Sequence, residues 1–116
     1  MQLNTLLDFC AKFSGVEETF PFDNQTLVLK VGGKMFLLVN IQALESINLK
    51  CNPDRSPELR ETYSGIQAGY HMNKTHWNTI SLNDDVPTAL IYELITHSYE
   101  LVVASLPKRI RDELAG

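Results

Sequence analysis

The sequence predicts an α+β fold in two layers, an antiparallel sheet with helices mainly on one face, in the order α-β-β-β-α-β-β-α. Three observations carry that prediction. Two apolar runs, Thr26–Val31 and Lys34–Asn40, are separated only by Gly32-Gly33, and a type I′ hairpin turn needs positive φ at both central positions. Ser46–Lys50 alternates apolar and polar residues with the period of a strand. Near the end of the chain, Leu90, Ile91, Leu94, Ile95, Ser98, Tyr99, Val102 and Leu106 form a continuous stripe at helical spacing.

The remaining elements follow in order. Leu3, Leu6, Leu7, Cys10 and Phe13 recur on one side of a first helix over residues 3–13, with Asn4 available as a cap and Gly15 as its C′ residue. Pro21, between Phe20 and Phe22, points to an extended edge segment, and Asp23-Asn24-Gln25 to a turn. The hairpin turn sets Val31 opposite Lys34 and Leu29 opposite Phe36. One face then carries Leu27, Leu29, Val31, Phe36 and Leu38, and the other Val28, Lys30, Met35, Leu37 and Val39. Both faces are apolar, so either helices cover both or one face binds something. Ser46–Lys50 buries Ile47 and Leu49, and Asn52-Pro53-Asp54 ends it. Ser56 and Pro57 open a short helix to about Tyr63 as N-cap and N1, with Arg60 and Glu61 on its polar side. Strands follow around Ile66–Ala68 and Trp77–Leu82, the second with Ile80 and Leu82 on one face and Trp77, Thr79 and Ser81 on the other. Pro87 opens the last helix and Pro107 stops it before a short basic segment, Lys108–Arg111.

The totals bound the function. A chain of 116 residues fits a single domain, 1–116, that needs no covalent staple. A formal net charge of -4 argues against strong non-specific nucleic-acid binding, yet it leaves room for a local basic patch. Cys10 and Cys51 stand in unrelated contexts and read as reduced core residues of a cytoplasmic protein. There is no signal peptide pattern, and no apolar run is long enough to span a membrane, so no membrane partner is expected.

Several stretches resemble the MmcQ/YjbR family: Gly15–Phe22, Lys30–Phe36, Leu49-Lys50-Cys51, the block Gly65–Trp77, then Ser98-Tyr99 and Leu106-Pro107. They cover nearly the whole chain in the family's order, with Ala68 standing where that family often has proline before Gly69-Tyr70. The resemblance implies the two-layer α+β fold already read from the pattern. It also implies a DNA-binding role by likeness to a double-wing arrangement of hairpins, and it supplies no catalytic residues to carry over.

The stretch Gly65–Thr79, GIQAGYHMNKTHWNT, concentrates the candidate site residues. Lys74 suits phosphate, and Asn73, His71 and His76 suit phosphate or base edges. Tyr70 and Trp77 suit stacking. In the structural alternative, Tyr70 and Trp77 anchor the loop while Asn73 and His71 tie its backbone. With Lys34 at the hairpin tip, these seven residues form the candidate binding set. Strand alternation places Trp77 with polar neighbours, so it is expected to be partly exposed beside Lys74. His71 and His76 lack a nearby third ligand, so no metal is expected, and no cofactor either. No oxyanion-hole or phosphate-cradling motif accompanies the cysteines or glycines, so no enzyme activity is expected. The alternative to weak, salt-sensitive DNA binding is a protein, a small ligand or self-association on the apolar sheet face. That reading requires Val28, Met35, Leu37 and Val39 to be partly exposed or buried in a dimer.

Overall fold

The computed structural model describes residues 1–69 and 72–116. Among these residues the elements run α1 (Leu3–Cys10), β1 (Val16–Thr19), β2 (Thr26–Val31), β3 (Lys34–Asn40), β4 (Ser46–Lys50), α2 (Ser56–Thr62), β5 (Ile66–Ala68), β6 (Trp77–Ser81), α3 (Thr88–Ala104) and α4 (Lys108–Ala115). The strands form one antiparallel sheet in the order β1-β2-β3-β4-β6-β5. α3 lies across β2, β3 and β4, and the main core fills the space between that face and the helices, with Leu6, Phe36, Leu37, Ile47, Leu49, Ile80 and Ile95 at its centre. The α+β class and the helix-covered face are therefore as the pattern predicts.

Two elements lie outside the predicted order. β1 is an edge strand, and its carboxylates Glu17 and Glu18 are both exposed, so it shows no alternation of burial. α4 carries only Ile110 and Leu114, four residues apart, against the core. It returns to the α1–β1 junction, where Ser14 Oγ donates to the Leu114 carbonyl at 2.8 Å. Gly15 is forced there: φ is +73° and an added Cβ would lie 2.3 Å from Leu114 Cδ2. α1 is shorter than expected, starts after Gln2 and closes through a turn at residues 11–13. Ser56 is the first residue of α2 rather than its cap, because its own N–H already bonds back to the Asn52 carbonyl.

The largest departure is in the register of the central hairpin. Val31 does face Lys34, and Gly32 and Gly33 take φ of 58° and 81° as a type I′ turn requires. Beyond Lys30–Met35 the register shifts, so that Leu29 pairs with Leu37 and not with Phe36. The shift is a β-bulge that adds one residue, Phe36, to β3. Phe36, Leu37 and Val39 then all join the helix-side core, while Leu38 turns to the opposite face beside Val28. The bulge also interrupts hydrogen bonding between β3 and β4 beyond Leu37–Leu49. Ser98 of α3, fully buried, bridges the gap: its hydroxyl donates to the Phe36 carbonyl and accepts from the Lys50 N–H at 2.9 Å.

That register corrects the expectation of an exposed apolar face. Val28, Leu37 and Val39 are all buried within this one chain, and only Met35 keeps partial exposure. The helix-free face is closed at its centre by a second small cluster, Val28, Leu38 and Trp77, with Met35 and Met72 half-buried against it.

Cys10 and Cys51 are both buried free thiols. Burial, with Glu18 nearby, pushes the Cys10 thiol up to about 12, which keeps it in the unreactive protonated form. No helix among the described residues is long and apolar enough to cross a membrane.

Candidate nucleic-acid interface

The antiparallel register places two tips at one end of the sheet. Gly32-Gly33 closes β2 and β3 there. The pairings Leu37–Leu49, Lys50–Trp77 and Ala68–Asn78 bring the β5–β6 connection to the same end. Three strand spacings of ~4.8 Å separate the two hairpin axes, or about 14 Å.

The first tip is braced from below. Leu106, just after α3, sits under Gly32, where an added Cβ would come within 2.6 Å of Leu106 Cδ1. Lys34 is exposed at this tip, and its Nζ lies 3.4 Å from Ser105 Oγ.

The second tip is held by a turn centred on Asn73. Its side-chain oxygen accepts from the Thr75 N–H at 2.9 Å and the His76 N–H at 3.3 Å, and its carbonyl accepts from the Trp77 N–H at 2.9 Å. Asn73 therefore has the tying role that loop asparagines favour. Gly69 N–H donates to the Trp77 carbonyl at 2.8 Å and closes the base of the loop. Arg60 fastens the loop to α2, with Nε donating to Asn78 Oδ1 at 2.7 Å and Nη2 to the carbonyls of Lys74 at 2.6 Å and Trp77 at 3.3 Å. Asn78 is buried and passes the network on to Ser56 Oγ at 3.3 Å. Arg60 is thus not a solvated residue on the polar side of its helix. It is the residue whose role sequence reasoning missed, since helical periodicity says nothing about a partner on a strand.

The predicted site residues divide accordingly. Lys74 and His76 are exposed at the second tip, and the His76 carbonyl accepts from the Cys51 N–H at 2.8 Å, tying the tip to the end of β4. Trp77 does share the helix-free face with Thr79, but it is only 8% exposed, so the expected exposure beside Lys74 is not found. The reason is Met72, which folds back from the loop over Trp77, Val28 and Leu38. Trp77 is therefore an anchor. Tyr70 and His71 lie outside the described residues.

The lysines come to the same end of the sheet without sharing a face. Lys30 and Lys50 project from the helix-free face beside Met35 and Trp77, Lys34 reaches toward α3, and Lys74 sits on the loop. Glu17 is the cross-strand neighbour of Lys30. Among the described residues, the ion pairs are Arg55–Glu93 and Lys108–Asp112, and these four lysines enter neither. The opposite end carries Asp23, Glu45, Asp84 and Asp85. Asp23 accepts from the N–H groups of Gln25 and Thr26, and Asp85 from those of Gly65 and Ser64, which hold both carboxyls below the usual range. Carboxylates also lie at the lysine-bearing end, Glu17 opposite Lys30 and Asp54 four residues beyond Lys50, so the separation of charge along the strand direction is partial. Among the described residues no group of three His, Cys, Asp or Glu side chains converges on a point.

A six-stranded antiparallel sheet with helices on one face and two hairpin tips at one end defines a class of small α+β domain. The chain belongs to the YjbR family, whose sequence model matches residues 11–101. It is 30% identical to the uncharacterized protein YjbR of Escherichia coli K12 over 112 residues, covering 96% of this chain and 95% of that protein. It is 40% identical to the uncharacterized protein YbdF of Escherichia coli O157:H7 over 95 residues, 81% of this chain and 78% of that one. In structure it is similar to the Deinococcus radiodurans protein DR2400, of domain family DUF419, with a TM-score of 0.92, 39% identity, and coverage of 98% of this chain and 88% of that chain.

Proposed function

We propose that this chain is a non-catalytic DNA-binding module that meets the duplex with the lysine-bearing end of its sheet. The observation behind this reading is the common placement of two braced tips and Lys30, Lys34, Lys50 and Lys74 at one end, with Asp23, Glu45, Asp84 and Asp85 at the other. Hairpin axes about 14 Å apart are close to the ~12 Å width of a major groove, so the two tips can reach the phosphates on either side of it. The bracing by Leu106 and Arg60 limits the ordering cost of binding. Contact through so few cations gives weak affinity without base readout, and the acidic end orients the domain by repulsion.

Fluorescence anisotropy with a labelled duplex tests this. With Lys30 facing Glu17 across the strands, phosphate contacts by Lys34, Lys50 and Lys74 give a log–log salt slope of about −2.7, from ~0.9 per contact, and each of K34A, K50A and K74A reduces its magnitude by about 0.9. Absence of binding at the lowest salt, where the electrostatic contribution is greatest, refutes the proposal. So does an unchanged salt slope in all three variants.

A further inference from the structure

The acidic half of the helix-free face holds a groove of about 780 Å³ that the DNA reading does not use. That volume lies within the ~300–1,000 Å³ of small-molecule sites. Leu38 and Asn48 form its floor, Phe22 and Met72 line it, and Asn40 and Glu45 lie toward the end away from the lysines. Phe22 is 64% exposed, the largest exposure of any large apolar side chain in the described chain, so the groove carries an unsatisfied aromatic surface.

The polar groups in the groove have a definite polarity. Asn40 Oδ1 is committed to the N–H groups of Gln42 and Ala43, at 2.9 and 3.0 Å. Asn48 Oδ1 accepts from the Thr79 hydroxyl at 2.6 Å. Both amide oxygens are therefore used within the chain, and each residue retains its NH₂ as a donor. Glu45 is the one charged side chain among the described residues lining the groove, and no lysine or arginine joins it. Such a site favours a planar ring with acceptor atoms on its edge and disfavours an anion.

We infer that this groove binds an uncharged nitrogen heterocycle of nucleoside size, with its ring against Phe22 and Met72 and its edge acceptors toward Asn40 and Asn48. This inference stands apart from the DNA reading, since it uses none of the lysines, and only Met72 of the groove comes from a tip loop. Ring against Phe22 supplies stacking, the Met72 thioether adapts to the opposite side, and the carboxylate of Glu45 excludes a phosphate.

The test is a titration of ¹⁵N-labelled full-length chain with adenosine and, separately, with adenosine monophosphate. Adenosine is expected to shift the side-chain NH₂ resonances of Asn40 and Asn48. The monophosphate is expected to bind several-fold more weakly. F22A is expected to weaken adenosine by about tenfold, as loss of a stacking partner does. Because Phe22 is exposed, F22A keeps the fold, which its unchanged unfolding midpoint verifies. Unmoved NH₂ resonances at millimolar adenosine overturn the inference, as does monophosphate binding equal to or tighter than adenosine, or full affinity in F22A.

Discussion

Replacing Arg60 by methionine removes the clamp between α2 and the second tip while keeping the length and apolar stem of the side chain. Three hydrogen bonds go, two of them at 2.7 and 2.6 Å to Asn78 Oδ1 and the Lys74 carbonyl, and the third at 3.3 Å to the Trp77 carbonyl. A hydrogen bond from a charged donor contributes ~1.5–3 kcal/mol. The guanidinium is half-exposed, so water recovers part of that at the Lys74 carbonyl, but not at Asn78, which is 1% exposed. The expected cost of R60M is about 2–4 kcal/mol, dominated by the stranded Asn78 oxygen. For a chain of this size that lowers Tm by about 8–16 °C, at ~4 °C per kcal/mol. Urea unfolding of wild type, R60M, N78L and the double variant measures it, and the cycle isolates a coupling of about 1–2 kcal/mol. Hydrogen exchange should speed up at the amides of Gly69 and Trp77, whose bonds close the loop. A cost below about 0.5 kcal/mol, or strict additivity with N78L, refutes the clamp.

Three further outcomes follow from the same geometry. S98A deprives the Phe36 carbonyl and the Lys50 N–H of their shared partner, so it should destabilise by about 1–3 kcal/mol by thermal unfolding despite removing a single oxygen. G69A places a Cβ 2.8 Å from Trp77 Cβ and 3.0 Å from the Trp77 carbonyl oxygen, which should cost about 1–3 kcal/mol and shift Trp77 fluorescence to the red as Met72 is displaced from it. Burial, with Arg55 nearby, holds the His97 imidazole below its ordinary 6.5, and its Nε2 accepts from the Asn52 N–H at 3.2 Å. The unfolded chain therefore takes up the proton more readily than the folded one. The contribution of His97 is present above pH 6.5 and is lost as pH falls through and below it. H97Q, which keeps an acceptor that does not titrate, should flatten the stability profile in that window in a pH series of urea melts.

The sheet was legible wherever burial on one side imposes a period. Ile47 and Leu49 in β4, and Ile80 in β6, alternate because one face is packed and the other is not, and the positive-φ turn at Gly32-Gly33 is written in the residue type itself. The α3 stripe is legible for the same reason, five of its residues being buried at helical spacing. β1 and α4 are edge elements, and solvent on several sides erases the contrast that a period needs. In α4 the signal is reduced to Ile110 and Leu114, a single i,i+4 pair among charges.

The site was less legible, and the bulge at Phe36 explains much of why. A bulge has no residue signature in an apolar run: Met35, Phe36, Leu37 and Leu38 read the same whether or not one of them is extra. That one residue decides whether Leu37 and Val39 face helices or solvent, and so whether the helix-free face is an apolar platform or a narrow cluster capped by Met72. Its trace in the sequence is remote. Ser98 is a buried hydroxyl within an otherwise apolar helical stripe, and such a group must have a partner. The partners are the two backbone groups that the bulge would strand, the Phe36 carbonyl and the Lys50 N–H. A polar residue interrupting the buried stripe of α3 is thus the sequence-level mark of an irregular sheet beneath it. The same interaction fixes the backbone from which Lys50 reaches the lysine-bearing end, so core serine and surface cation are coupled through one hydrogen-bonded carrier.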